Sequence, residues 1–365
     1  MLGTICLPHK PNAPLSYRFV PGQGPLSTTH LVVFLNGLLL PHTSWQATIE
    51  DLQRRWAESG AEQPLHHDHG HDHRGHKDDG HRHNHPSLLA YDRYGQGDSV
   101  RDPADEGGSH DIREVVRDLR VLTQEIWKLH SHVSGSSSNN GEGRTEAEET
   151  NPNPPNLIFI ANSIGCPLAR LFATTYPASV SALLLLDSNI ANSDLVSLFP
   201  DPDAPAFDPA TAHLPPDVTV ADLRRARAAY AALFHPSVPN AERWDRRNLA
   251  SLLPRADSPA LGEAWLTVVG HDWATFALDG ERGSLGVPRS LTDAYVNPAW
   301  ARYNEGLVRL ARGGRARGPV IAVGCGHFIQ RDDPRLVAEL ADELIRRVRE
   351  EGEAVVVVGG LEVGG

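Results

Sequence analysis

Residues 157–170, LIFIANSIGCPLAR, constrain the fold more tightly than any other stretch of the chain. An apolar strand pattern runs without a break into Ala161-Asn162-Ser163-Ile164-Gly165, and a helical pattern follows. A strand that turns so abruptly into a helix needs small residues flanking the turn, because the backbone at the central serine is strained. Ala161 and Gly165 meet that need. Such a turn lifts the Ser163 hydroxyl above the sheet, at the N-terminal end of the next helix. There the backbone N–H of Ile164 can meet a developing oxyanion, and the helix dipole favours negative charge. Ser-x-Gly by itself is equally compatible with an ordinary strand-to-helix loop whose serine caps the helix. The nucleophile reading therefore depends on the partners Ser163 can find.

The rest of the chain repeats the alternation. Leu31–Leu35, Leu88–Tyr91, Leu157–Ile160, Ala182–Leu186, Leu266–Val269 and Val320–Val323 read as short buried strands. Between them lie helical patterns at Trp45–Ser59, Asp111–His130, Pro167–Thr175 and Leu336–Arg349. Strand alternating with helix predicts an α/β chain: a mostly parallel central sheet with helices on both faces. Between Ser188 and Pro259 the pattern changes to a proline-rich stretch and an Ala/Arg-rich helix, Val220–Phe234, with no strand candidate. A helical insertion between two sheet strands is expected to cap the ends of the sheet. The expected organisation is a core over 1–187, a helical cap over 188–258, a second core part over 259–352 and a tail over 353–365.

Two inserts within the first core part, about 64–86 and 133–156, have little to bury and read as flexible loops. The first contains HHDHGHDHRGHKDDGHRHNH, with nine of the nineteen histidines of the chain and four aspartates. No regular element fixes the spacing of these imidazoles, so the tract is expected to bind metal only weakly and to have no part in function. Neither a metal nor a cofactor is expected at the site.

A serine hydroxyl is a weak nucleophile and needs a base. His327 lies in the glycine-flanked loop Gly324-Cys325-Gly326-His327, directly after the last strand, from which it can swing over the sheet. The base needs a carboxylate. Asp272 follows the strand Leu266–Val269 after a turn at Gly270-His271. The order Ser163, Asp272, His327 is the Ser…Asp…His order of one hydrolase class. Asp187, ending the preceding strand, is the alternative acid. Asp272 is preferred because it follows the strand after the cap.

At this point four motifs in order resemble the α/β-hydrolase superfamily. They are Asn36-Gly37-Leu38, the run Asp92-Arg93-Tyr94-Gly95-Gln96-Gly97-Asp98-Ser99, the turn at Ser163, and the Gly326-His327-Phe328 ending with Asp332 and Pro334. The resemblance covers Leu31–Asp187 and Leu266–Arg349, apart from the inserts. It implies that the Leu38 N–H is the second oxyanion donor beside Ile164. It also implies acyl transfer through an acyl-enzyme, with an ester, thioester or lactone of small to medium size as substrate. Asn36 and Asn162 depart from the family's commoner residues. Phe199, Phe207, Tyr230, Phe234 and Trp244 either line an apolar pocket or glue the cap to the core. An acyltransferase with the same triad, and a non-catalytic binding protein on this scaffold, are the other classes to weigh.

Composition narrows the partners. Thirty-four basic residues face 46 acidic ones, a net charge of −12, whereas binding phosphate backbones needs a cationic excess. No apolar run reaches the ~18 residues of a membrane span, and no cationic-then-apolar start marks a secretory signal. A small-molecule partner and a cytoplasmic location are expected, with no nucleic acid and no membrane. Three widely spaced cysteines make no disulfide framework.

Overall fold

The computed structural model describes residues 1–38, 40–61, 84–105, 109–131, 153–209, 211–253 and 259–361. Most of the histidine tract (66–83), most of the second insert (133–152) and the end of the expected cap (254–258) lie outside the described residues.

Eight strands form one sheet: β1 (Leu2–Leu7), β2 (Lys10–Val20), β3 (His30–Leu35), β4 (Ser87–Tyr91), β5 (Asn156–Asn162), β6 (Val180–Leu186), β7 (Trp265–His271) and β8 (Ala316–Ala322). Their order is β1-β2-β4-β3-β5-β6-β7-β8. β1 and β2 pair antiparallel, β2 pairs antiparallel with β4, and every later pairing is parallel. The long helices are α1 (Gln46–Ala61), α2 (Ile112–Ser131), α3 (Gly165–Thr175), α4 (Val220–Phe234), α5 (Trp273–Arg282), α6 (Asn297–Val308) and α7 (Pro334–Leu361).

The unbroken apolar runs are explained by burial on both faces of the sheet. Val33, Leu35, Phe159, Leu183 and Leu185 point into the larger core, with α2, α3 and the excursion after β6. Their neighbours Val32, Phe34, Ile158, Ile160, Leu184 and Leu186 point into a second core, against α1 and α7. Each such aliphatic or phenylalanine side chain contributes about 1.5–3 kcal/mol on burial.

The structure differs from the sequence reading in four places. β1 and β2 extend the sheet at its edge; the exposed alternation of β1 and the prolines of β2 hide them from a search for apolar runs. Trp244–Asp245 pairs with His110–Asp111 as a two-residue parallel ladder, a strand pair within the stretch read as helical. Between β7 and β8 stand α5 and α6, which carry Phe276 and Trp300. The closing helix, begun at Pro334 and capped by Asp333 (Leu336 N–H to Oδ1, 2.9 Å), continues to Leu361 instead of ending in a tail at 353. Among the described residues no helix is long and apolar enough to cross a membrane.

The excursion after β6 holds α4, whose N-terminus is closed by a reciprocal cap between Thr219 and Asp222. Phe199, Tyr230 and Phe234 stack edge to face within it, with centroids 4.9 and 5.2 Å apart. Phe199, Tyr230 and Trp244 are buried, which is what gluing this segment to the core requires.

Candidate functional site

Every candidate residue sits at the carboxyl end of a parallel strand, on one rim of the sheet. Asn36–Leu38 follow β3, Asp92 follows β4, Ser163 follows β5, Asp187 follows β6, Asp272 follows β7 and His327 follows β8.

Ser163 occupies the left-handed region at φ 56°, a conformation that costs a non-glycine residue about 1–3 kcal/mol and persists only when its surroundings impose it. Here they do. The Ser163 N–H donates to Leu186 O (3.1 Å), and its carbonyl accepts from Cys166 N–H and Asn189 N–H at 3.1 and 3.2 Å. Gly165 must be glycine for space: a Cβ there would stand 2.5 Å from Leu35 O. Asn162, fully buried, braces the turn from below through Nδ2 bonds to Leu186 O and His327 O, at 3.1 and 3.0 Å. That bond explains its presence: it ties the serine turn to the histidine loop.

The Ser163 hydroxyl lies 2.9 Å from His327 Nε2, and His327 Nδ1 lies 2.6 Å from Asp187 Oδ2. The sequence preference for Asp272 is corrected here. The strand continues through His271, so Asp272 is the N-cap of α5, and its Oδ1 accepts the Thr275 N–H at 2.9 Å. Its hydrogen bonds to this helix start hold its carboxyl below the usual range. The carboxylate facing His327 is Asp187, the alternative.

Asp187 is completely buried and itself at φ 44°. Burial pushes its pKa up, but two imidazoles outweigh that and bring it down to about 2. One is His327. The other is His271, whose Nδ1 lies 2.8 Å from Asp187 Oδ1. Sequence reading treats Gly270-His271 as a turn; a histidine ending an apolar strand next to Asp272 was the available signal. The rings of Trp300, Phe276 and Phe328 surround His327, with centroids 5.7, 6.4 and 5.1 Å away.

The loop after β3 closes over the serine: a Cβ on Gly37 would come within 3.2 Å of Ser163 Cβ. Its carbonyls are held away by the motif after β4. Arg93 donates to Asn36 O and Gly37 O at 2.9 and 3.0 Å, and Gln96 donates to Gly37 O at 2.7 Å. Asn36 is structural, its Nδ2 donating to Tyr91 O, Gln96 Oε1 and Asp92 Oδ1 and its Oδ1 accepting from Trp45 Nε1. Asp92 anchors the motif by accepting the His42 N–H (2.6 Å) and the Asp98 N–H (3.2 Å). Gly97, at φ 51°, leaves room for that carboxylate. Among the described residues no acceptor takes the N–H of Leu38 or Ile164, and Ile164 stands at the N-terminus of α3.

Burial disfavours the thiolate at both cysteines near the site, pushing Cys166 far up and Cys325 to about 11. Among the described residues no group of three or more His, Cys, Asp or Glu is arranged to hold a metal ion. The arrangement sets a serine hydroxyl against an imidazole that a buried carboxylate faces, beside two amide N–H groups for which no described residue is an acceptor.

A model described as the Alpha/beta hydrolase family matches residues 32–340. No curated protein matches the chain. Among solved structures the chain is similar to mouse alpha/beta hydrolase domain-containing protein 10, at 12% identity and a TM-score of 0.48, covering 95% of this chain and 99% of that one. It is similar to a carboxylesterase of Nitrososphaera gargenis, at 11% identity and a TM-score of 0.48, covering 96% and 100%. It is also similar to a thermophilic esterase of Thermogutta terrifontis, at 16% identity and a TM-score of 0.45, covering 95% and 99%.

Proposed function

We propose, from the premise that this chain belongs to the alpha/beta hydrolase family, that it is a serine hydrolase of carboxylic esters, thioesters or lactones. The observation that carries the reading is the continuous chain of hydrogen bonds from Ser163 Oγ through His327 to Asp187, with the serine held in a left-handed turn.

In this reading His327 Nε2 takes the Ser163 proton as Oγ attacks the substrate carbonyl. Asp187 fixes the tautomer that carries its proton on Nδ1 and stabilises the imidazolium that forms. The amides of Leu38 and Ile164 receive the tetrahedral oxyanion, and removing one such donor from a related site costs about 10²–10³ in turnover. His327 then protonates the leaving group, and water repeats the sequence to release the acid. The excursion over residues 188–258 acts as a cap. The aromatic surround of His327 favours a small to medium, largely apolar acyl group.

Labelling by a fluorophosphonate probe, followed by a panel of p-nitrophenyl esters graded by acyl length, tests the proposal. Labelling at Ser163 with turnover of at least one ester supports it. A protein that neither labels nor turns over any ester or thioester would sink it.

A further inference from the structure

His271 is a second histidine on the acid, and its environment fixes its charge. It ends β7, is 2% exposed, and has a hydrogen-bond partner at each ring nitrogen. Nδ1 faces Asp187 Oδ1 at 2.8 Å, and an ionised carboxylate only accepts. Nε2 faces Asn297 Oδ1 at 3.1 Å. The orientation of the Asn297 amide is set by its other end, where Nδ2 donates to Trp273 O (3.2 Å) and Asp293 Oδ1 (2.8 Å). Reversing the amide would point its oxygen at two acceptors. Both nitrogens of His271 must therefore carry protons.

We propose that His271 is a standing imidazolium that shares Asp187 with His327 and lowers the basicity of His327, a positioning residue acting through the acid. The proposal rests on the serine-hydrolase reading for its catalytic meaning, though not for the charge itself.

The remaining surroundings agree. Burial opposes a cation at His271, but Asp187, the Asn297 bond and the neighbouring Asp272 outweigh it and raise its pKa. The Phe276 ring stacks on the imidazole at 4.0 Å, and Trp300 meets it edge-on at 5.5 Å. A cation over an aromatic face is favourable. Asp187, Asp272, Asp293 behind Asn297, and His327 across the shared carboxylate are the titratable groups facing it from the loop after β6, the start of α5, the turn before α6 and the loop after β8.

The consequence for catalysis is one of sign. A carboxylate serving one imidazole alone raises that imidazole's pKa through its full negative charge. With a cation already on its other oxygen, Asp187 still orients His327, but its field there is partly cancelled. The proton that His327 takes from Ser163 is thus less stabilised than it would be beside an unshared carboxylate.

The test is ¹⁵N NMR of the histidine side chains in the Ser163→Ala protein, which needs no activity, alongside the pH profile of the active enzyme. We expect both His271 nitrogens to carry protons at neutral pH, and the His327 signals to respond to acid at higher pH in Ser163→Ala/His271→Gln than in Ser163→Ala. In otherwise wild-type enzyme, His271→Gln should move the acid limb of kcat/KM in the same direction. If His271→Gln does not fold, Asn297→Leu, which removes the second acceptor, should shift His327 in the same direction. A His271 that is neutral at neutral pH, or His327 signals unchanged in the folded variant, overturns the proposal. Failure of Ser163 to label, with the His327 shift present, would instead count against the hydrolase reading alone.

Discussion

Arg93 and Glu242 form a buried, two-pronged ion pair, Nε to Oε2 at 2.6 Å and Nη2 to Oε1 at 2.9 Å. The same guanidinium holds the carbonyls of Asn36 and Gly37, so one side chain joins the segment after β6 to the loop that roofs Ser163. The Arg93 fork also lies over the Trp244 ring, 4.8 Å from its centroid.

Breaking this pair should therefore affect chemistry as well as stability. Glu242→Ala leaves a buried guanidinium uncompensated, at a cost of about 3–5 kcal/mol. Arg93→Lys keeps the charge but loses the fork, and should lower kcat more than it raises KM, because the oxyanion loop loses its fixed geometry. Urea unfolding of the first and steady-state kinetics of the second check this. An Arg93→Lys enzyme with wild-type kcat would count against it.

The two aspartates should separate cleanly. Asp187→Asn is expected to lower turnover by up to about 10⁴-fold, because the amide can favour the wrong imidazole tautomer. Asp272→Ala should cost about 1 kcal/mol of stability as a lost helix cap, with turnover within a few-fold of wild type. Kinetics with one ester, on variants shown folded by circular dichroism, reads both.

Ser163 offers a test of strain. Ser163→Gly and Ser163→Ala should both abolish probe labelling. The glycine variant relieves about 1–2 kcal/mol of left-handed strain against about 0.5–1 kcal/mol of added unfolded-state entropy, so it should be at least as stable as wild type. Ser163→Ala keeps its Cβ and gains nothing. A glycine variant clearly less stable than the alanine one, by thermal melt, contradicts an imposed backbone.

Acid should unfold the protein partly through Asp187. Its folded pKa, about 2, is depressed below the unfolded carboxylate value of about 4, so its contribution is complete above pH 4 and lost as pH falls towards 2. The stability gap between wild type and Asp187→Asn, from urea midpoints, should narrow through that window. His271 runs the other way: its pKa is raised, so its contribution is complete below about 6.5 and fades as pH rises through the folded value. A gap that stays constant from pH 5 to 2 would remove Asp187 as the cause.

Deleting 66–83 and joining the ends with a short Gly/Ser linker should leave ester turnover and the melting temperature nearly unchanged. The segment's neighbours are anchored without it: Asn84 accepts the Leu26 N–H at 2.7 Å, and His85 stacks on Trp56 at 4.3 Å. A large fall in activity would show that the tract takes part in function.

Much of this was legible in sequence, for reasons that show in the structure. The doubly buried strands are read as apolar runs because both faces are covered, and Val220–Phe234 is read with its observed limits because a capping box and a following proline bound it. Ser163 and His327 were found because each follows a strand in a glycine-rich turn. The acid was misread because burial, not chain order, decides it. Asp187 and Asp272 both end strands, and only the continuation of β7 through His271 turns Asp272 onto its own helix. The β1–β2 hairpin and the helices α5 and α6 lack a clean period, since their faces are divided between solvent, core and the neighbouring segment.

Ala61 and Ser131, where the described chain breaks off, and Asn84 and Asn153, where it resumes, stand ahead of β4 and β5 and not after them. Residues 62–83 lie between the end of α1 and the start of β4, and 132–152 between the end of α2 and the start of β5, where the parallel strands begin, not where they finish. A change of length at either join therefore meets the sheet at the starts of β4 and β5, and leaves the strand ends that carry Ser163, Asp187 and His327 in register with one another.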